Sequence, residues 1–285
     1  MTLQYHLLLI DPQNDFCDLP AAYLPPAADG NTMQPALPVP GAHADMLRLA
    51  NLIRSGAAGI DGISITLDSH HRLDIAHPTF WRQGDGAAVA PFTEISAAQV
   101  RAGQYLPRRI EALPRALAYL DQLESAGRYR LMVWPVHCEI GSWGHNVHRD
   151  LHDACNYWED SGVRSVEKIS KGSNPWTEHY SAFMAEVPDP TDPATQLNRA
   201  LIAQLALNDR VYIAGEAGSH CVRASTEHIV DNLPPDQAGK LILISDCISP
   251  VSGFESRYQD FLNAMQARGV RLADSAEVLS ELLTR

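Results

Sequence analysis

The chain has 285 residues, 45% of them hydrophobic and 20% charged, which is enough apolar material for a core without disulfide or metal staples. Its 22 Lys and Arg stand against 34 Asp and Glu, a formal charge of −12, which argues against nucleic acid or an anionic membrane surface as a partner. Five scattered cysteines with no CxxC pair read as reduced thiols of a cytoplasmic protein. The apolar run at Leu7–Ile10 is too short for a signal peptide, and no stretch approaches the roughly 18 apolar residues of a membrane span.

In chain order, the first predicted strand is 5–10 (YHLLLI). Residues 19–41 follow with six prolines and read as a long irregular loop. Met46, Leu49, Ala50 and Ile53 then recur at helical spacing before a second strand at 60–67. A second long loop, with at most one helical turn, is expected at 82–108. Further strands are predicted at 129–134, 163–167, 210–214 and 240–245, with a helical pattern carried by Leu197, Ala200, Leu201 and Leu205 between the fourth and fifth strands. A last helix follows Asp274 or Ser275, either of which can cap it. These strands are mostly unbroken apolar runs, as suits burial on both faces of a parallel sheet. The pattern predicts one α/β domain over 1–285: a doubly wound, mainly parallel six-stranded sheet with helices on both faces. The loops at 19–41 and 82–108 are its insertions, and loops of that length are commonly lids or interfaces.

Ligands of an open parallel sheet bind beyond the carboxyl ends of its strands. Beyond successive predicted strands come Asp11, then Asp68-Ser69-His70, then Trp134-Pro135-Val136-His137, then Lys171-Gly172, then His220-Cys221. An acid, potential metal ligands, a lysine and a cysteine thus share one rim. Asp68 and His70, two apart on an extended segment, face the same side. With His137 they make a donor set of the kind that holds a divalent ion such as zinc. His77 is a candidate fourth ligand, with His71 and Glu139 behind it.

Five segments carry a family resemblance: LLLIDPQNDFC, ITLDSHH, LMVWPVHCEIGSWGH, KGSNPWTEHYSAF and VYIAGEAGSHCVRAS. In this order they resemble the nicotinamidase/isochorismatase-like cysteine hydrolase superfamily, specifically its nicotinamidase-related amidase branch. The resemblance implies a catalytic triad of Asp11, Lys171 and Cys221. It also implies a cis Glu216–Ala217 peptide, an oxyanion hole from the N–H groups of Ala217 and Cys221, and Phe16, Trp134 and Tyr180 around a flat substrate. It further implies a metal site at Asp68, His70 and His137, a small amide substrate with nicotinamide first, and a homo-oligomer. Lys171 is expected to lower the thiol pKa of Cys221 from its usual value near 8.5, helped by a helix N-terminus at the cysteine.

Three features depart from the family pattern: the two insertions, Ser219 where many relatives carry an acid, and Glu216 beside the cis bond. They bear on the substrate rather than on the triad. Other readings remain open at this point. One is a relative acting on a different amide or an N-carbamoyl compound. Another is metal-activated water hydrolysis with Cys221 a bystander. A third is a non-catalytic binding protein on a flavodoxin-like fold.

Overall fold

The computed structural model describes residues 3–234 and 236–285. Its elements in order are β1 (Tyr5–Ile10), α1 (Ala42–Gly56), β2 (Gly62–Asp68), β3 (Trp81–Gln83), β4 (Thr93–Ile95), α2 (Ala97–Arg101), β5 (Tyr105–Pro107), α3 (Leu113–Ala126) and β6 (Leu131–Val133). Then come α4 (Arg149–Gly162), β7 (Glu167–Lys171), α5 (Arg199–Ala206), β8 (Arg210–Gly215), α6 (Cys221–Asn232), β9 (Leu241–Ile244), α7 (Glu255–Ala267), β10 (Arg271–Ala273) and α8 (Ser275–Leu283).

Six strands form one sheet in the order β10-β9-β8-β1-β2-β7, and every pairing is parallel. Leu7 to Ile10, Val211 to Gly215 and Leu241 to Ile244 are buried at each position, so the central strands are covered on both faces. α1 packs against α4 and α8, while α6 packs against β8 and α7. Met46, Leu49, Ala50 and Ile53 are the buried stripe of α1, as their spacing predicts. In α5 the stripe is Leu201, Ile202 and Leu205, and Ala200 is exposed. Asp274 caps α8 in a full capping box with Glu277.

The sheet has the expected strand count with a different membership. The 129–134 run contributes only β6, which pairs antiparallel with β4 outside the main sheet. The sixth strand of the main sheet is β10, a three-residue edge strand paired only with β9. With one neighbour and an exposed Arg271, it lacks the apolar run that marks a doubly covered strand. The fourth predicted strand lies four residues later than expected, as β7 instead of 163–167. Val163 closes α4 with φ of 48°, and the half-exposed edge strand EKISK has no apolar run to announce it. As a result Lys171 is the last residue of its strand, in register with Asp68 of β2.

The 82–108 segment is not a loop. It holds β4, α2 and β5, and β5 pairs antiparallel with β3. Buried Val89, Ile95 and Val100, with Trp81 at its edge, anchor it to the core. The 19–41 segment is largely irregular, but its end is fastened beside β1 by Leu37 N–H to Asp15 O (3.0 Å) and Val39 N–H to Phe16 O (3.0 Å). Among the described residues no helix is long and apolar enough to cross a membrane.

Gly215 closes β8 with φ of 114°, and a Cβ there would meet Ile10 O at 2.0 Å. Gly215→Ala is therefore expected to destabilise the protein well beyond Asp274→Ala, whose lost cap costs about 1 kcal/mol. Urea midpoints of the two variants check the ranking, and the reverse order would contradict this account of the strand end.

Candidate active site

The carboxyl ends of β1, β2, β7 and β8 deliver Asp11, Asp68, Lys171 and, one turn later, Cys221 as the first residue of α6. Lys171 is buried, and its Nζ lies 2.9 Å from both Asp11 Oδ2 and Asp68 Oδ1. It also donates to His179 O at 2.9 Å and approaches Cys221 Sγ at 3.7 Å. Thr66 holds Asp11 from the neighbouring strand, donating from its hydroxyl to Oδ1 (2.6 Å) and accepting the Asp11 N–H (3.0 Å). Asp11 itself has φ of 43°, a left-handed conformation that non-glycine residues adopt mainly where the surroundings impose it. Asp11 Oδ2 has no hydrogen bond of good geometry, although Lys171 Nζ lies 2.9 Å away.

The Lys171 ammonium sits well above its ordinary pKa: burial opposes the charge, but Asp11 and Asp68 outweigh burial. Asp11 is pushed up by burial against the pull of Lys171. For Cys221 the expectation of a lowered thiol pKa is corrected. Burial pushes it well up, Lys171 pulls it down, and Asp11 and Asp68 push it up again. Lys171 is the strongest charge on the sulfur, but burial together with the two carboxylates outweighs it. The balance on Cys221 thus favours the thiol over a standing thiolate.

The histidines gather on the other side of Asp68. His70, His77 and His137 are buried, with ligand atoms within 4.8 Å of one another. Asp68 Oδ2 lies 3.0 Å from His70 Nε2 and 3.3 Å from His137 Nε2. His70 Nδ1 is bound to Asp74 Oδ2 at 3.1 Å, which fixes the ring as an outer-shell carboxylate fixes a metal-ligating imidazole. Burial, His137 and His70 lower the His77 pKa to about 3, leaving it neutral as a ligand must be. His77 thus belongs to the cluster, whereas His71 is exposed and Glu139 pairs with Arg72 (3.6 Å) at the surface. Gly172 leaves the room for this arrangement, since a Cβ there would meet Asp68 Oδ1 at 3.0 Å and His70 Cε1 at 3.4 Å.

Between the lysine and histidine groups lies a cavity of about 20 Å³ lined by Asp68, His137, Ala217 and Cys221, with Phe16, Trp134 and Tyr180 in its walls. It is a narrow space, close to the room that a single water needs. The Glu216–Ala217 peptide is cis. Glu216 does not line the cavity; its carboxyl reaches Ser249 N–H at 3.3 Å. Ser219 bridges the His220 ring (2.9 Å) and Val251 N–H (3.1 Å).

Three lining residues escaped sequence reasoning, Leu37, Glu178 and Val251, while His220 was placed at the rim without a role. His220 and Glu178 lie within motifs already singled out, so proximity to Cys221 and Tyr180 was an available signal. Leu37 and Val251 sit in irregular segments with no periodicity to mark them. Gln13 and Asp15, also unforeseen, wire the DPQND turn to the site. Gln13 Oε1 accepts Asp68 N–H (2.7 Å), and Asp15 Oδ2 accepts Cys138 N–H (2.6 Å).

No family model matches the chain, and no curated protein does. Solved structures do match over their full length. A nicotinamidase/pyrazinamidase of Acinetobacter baumanii is 19% identical with a TM-score of 0.62, over 98% of this chain and 99% of that one. The yeast nicotinamidase is 18% identical with a TM-score of 0.60, over 95% and 100%. The pyrazinamidase of Pyrococcus horikoshii in complex with zinc is 19% identical with a TM-score of 0.51, over 95% and 99%. The fold is that of these enzymes and of the isochorismatase-like hydrolases.

If Asp11 holds the Cys221 pKa up, Asp11→Asn should alkylate faster at Cys221 than wild type near neutral pH. The wild-type rate should rise only as pH passes above the ordinary thiol range. Iodoacetamide labelling read by peptide mass spectrometry checks both, and slower labelling of Asp11→Asn would contradict the assigned electrostatics.

Proposed function

We propose that the protein is a cysteine amidohydrolase that releases ammonia from a small primary amide, with nicotinamide to nicotinate as the leading reaction. The observation that carries this reading is Lys171 Nζ placed between Asp11, Asp68 and Cys221, at 2.9, 2.9 and 3.7 Å. The likeness to nicotinamidases and pyrazinamidases supports it.

In this reading Asp11 Oδ2 takes the thiol proton as Cys221 Sγ forms a bond to the amide carbon. The carbonyl π pair moves to oxygen, where the N–H groups of Ala217 and Cys221 receive the charge. Collapse breaks the C–N bond, and Asp11 returns the proton so that ammonia departs. Asp11 next deprotonates a water that attacks the thioester, and the C–S bond breaks to give the acid and the thiol. Proton transfer of this kind is worth about 10²–10⁴ in rate. Lys171 holds Asp11 in place and offsets negative charge as the sulfur ionises. Phe16, Trp134 and Tyr180 bound a flat ring.

Asp68, His70, His77 and His137 suit a divalent ion: buried imidazoles converge, one of them fixed by Asp74, beside a carboxylate. Such an ion, zinc first, would supply a Lewis-acid point that orients a ring nitrogen. Asp68 would join the two groups, since one oxygen meets Lys171 and the other meets His70 and His137.

Ammonia release from nicotinamide tests the reading. Cys221→Ala is expected to abolish it, and Asp11→Asn to lower kcat by about 10²-fold or more. Retained release in Cys221→Ala would instead favour water activated at the histidine cluster. Lys171→Ala is expected to lose activity and also about 3–5 kcal/mol of stability, because it leaves Asp11 and Asp68 buried without their cation; an unchanged urea midpoint would contradict that. Chelation is expected to raise KM for nicotinamide more than for an acyclic primary amide, and equal effects would remove the orienting role from the metal.

A further inference from the structure

Among the residues lining the catalytic cavity, Glu178 alone has a buried side-chain oxygen or nitrogen without a partner. Glu178 is 5% exposed, and its Oε1 accepts His179 N–H at 2.8 Å while Oε2 meets no donor. The other polar groups of the wall are engaged. Asp68 is held by Lys171 and His70, His137 Nδ1 lies 2.8 Å from Pro135 O, and Tyr180 Oη accepts from Trp134 Nε1 at 3.0 Å. Four further acids have a buried oxygen without a hydrogen bond, Asp11, Asp150, Glu186 and Glu216, but none of them lines the cavity, and Asp11 pairs with Lys171. Glu186 faces Arg128 (3.9 Å), and Glu216 meets Ser249 N–H. A carboxylate oxygen withdrawn from water with no donor is costly to keep, and such an orphan in a cavity wall calls for a partner.

We propose that Glu178 is a specificity determinant that accepts a hydrogen bond from the substrate, so that the pocket prefers ring amides carrying an N–H or O–H donor besides the carboxamide. The inference rests on the amidase reading above and deepens it. The carboxamide belongs at Cys221 and Ala217. Glu178 lines the same cavity as Asp68 and His137, so a ring whose carboxamide sits at Cys221 extends through the space that its carboxyl borders. A site built to bond a substrate donor also discriminates sharply against the analogue that lacks it, because the buried acceptor is then left unmet.

The test uses the full-length, metal-replete protein in the Cys221→Ala form, so that ligands bind without turnover. Calorimetric Kd values are measured for nicotinamide and for its amino derivatives, one for each free ring carbon. At least one derivative is expected to bind about 10-fold or more tighter than nicotinamide. Adding Glu178→Ala should return that ratio to about one. Adding Glu178→Gln, which keeps the volume and one acceptor oxygen, should lower the ratio to an intermediate value and serves as the test if the alanine variant does not fold. The proposal is overturned if no derivative gains over nicotinamide, or if the ratio survives the loss of Glu178. Failure of the amidase reading would look different, as no ammonia release from any amide by the wild-type protein. Failure of this inference alone leaves release intact with flat selectivity.

Discussion

The site is organised around one buried ammonium. Lys171 Nζ is 2.9 Å from carboxylates at the ends of two different strands, β1 and β2, and is delivered by a third, β7. Burying any of these charges alone would be prohibitive, and the three are tolerable only together. The cluster therefore fixes the separation of the strand ends, orients Asp11 toward the sulfur and commits one oxygen of Asp68 to the lysine. The other Asp68 oxygen faces His70 and His137. Through that single carboxylate the geometry of the histidine cluster is tied to the geometry at the thiol.

This sharing also decides the resting state of Cys221. A lysine beside a cysteine suggests a thiolate when read from sequence, but charges act in sum. Full burial and two carboxylates outweigh one ammonium, so the thiol pKa is pushed well up. A neutral, enclosed thiol is protected from adventitious oxidation and alkylation, and in the proposed reaction Asp11 is the group that takes its proton. The cavity beside the thiol is narrow, about 20 Å³, in the free protein. Leu37, on the proline-rich insertion, and Val251 form part of its wall.

Much of this was legible in the sequence because the central strands are buried on both faces and announce themselves as apolar runs. Tyr5–Ile10 was placed to the residue and Arg210–Gly215 to within one, and Asp11, Asp68 and Cys221 follow from where such strands end. Edge strands carry no such signal. EKISK and RLA each have one paired neighbour and solvent on the other side, so β7 was misplaced and β10 unseen. An apolar run at Leu131–Val133 was taken into the main sheet although it pairs with β4. The 82–108 segment hid its short elements because each is only three to five residues long, below the length at which periodicity can be read. Glu178 and Leu37 were illegible for another reason: whether a side chain lines a cavity is set by tertiary packing.

The central claim is that Cys221 Sγ attacks the carbonyl carbon. It can be isolated from leaving-group and water steps with the aldehyde analogue of the substrate, which has no group to expel. Addition of the thiol forms a C–S bond, the proton goes to the carbonyl oxygen, and the reaction halts as a thiohemiacetal. With carbonyl-labelled nicotinaldehyde, carbon NMR should show a bound tetrahedral carbon, distinct from the free hydrate, in the wild-type protein and not in Cys221→Ala. Its absence from the wild type, or its presence in both, would contradict the account.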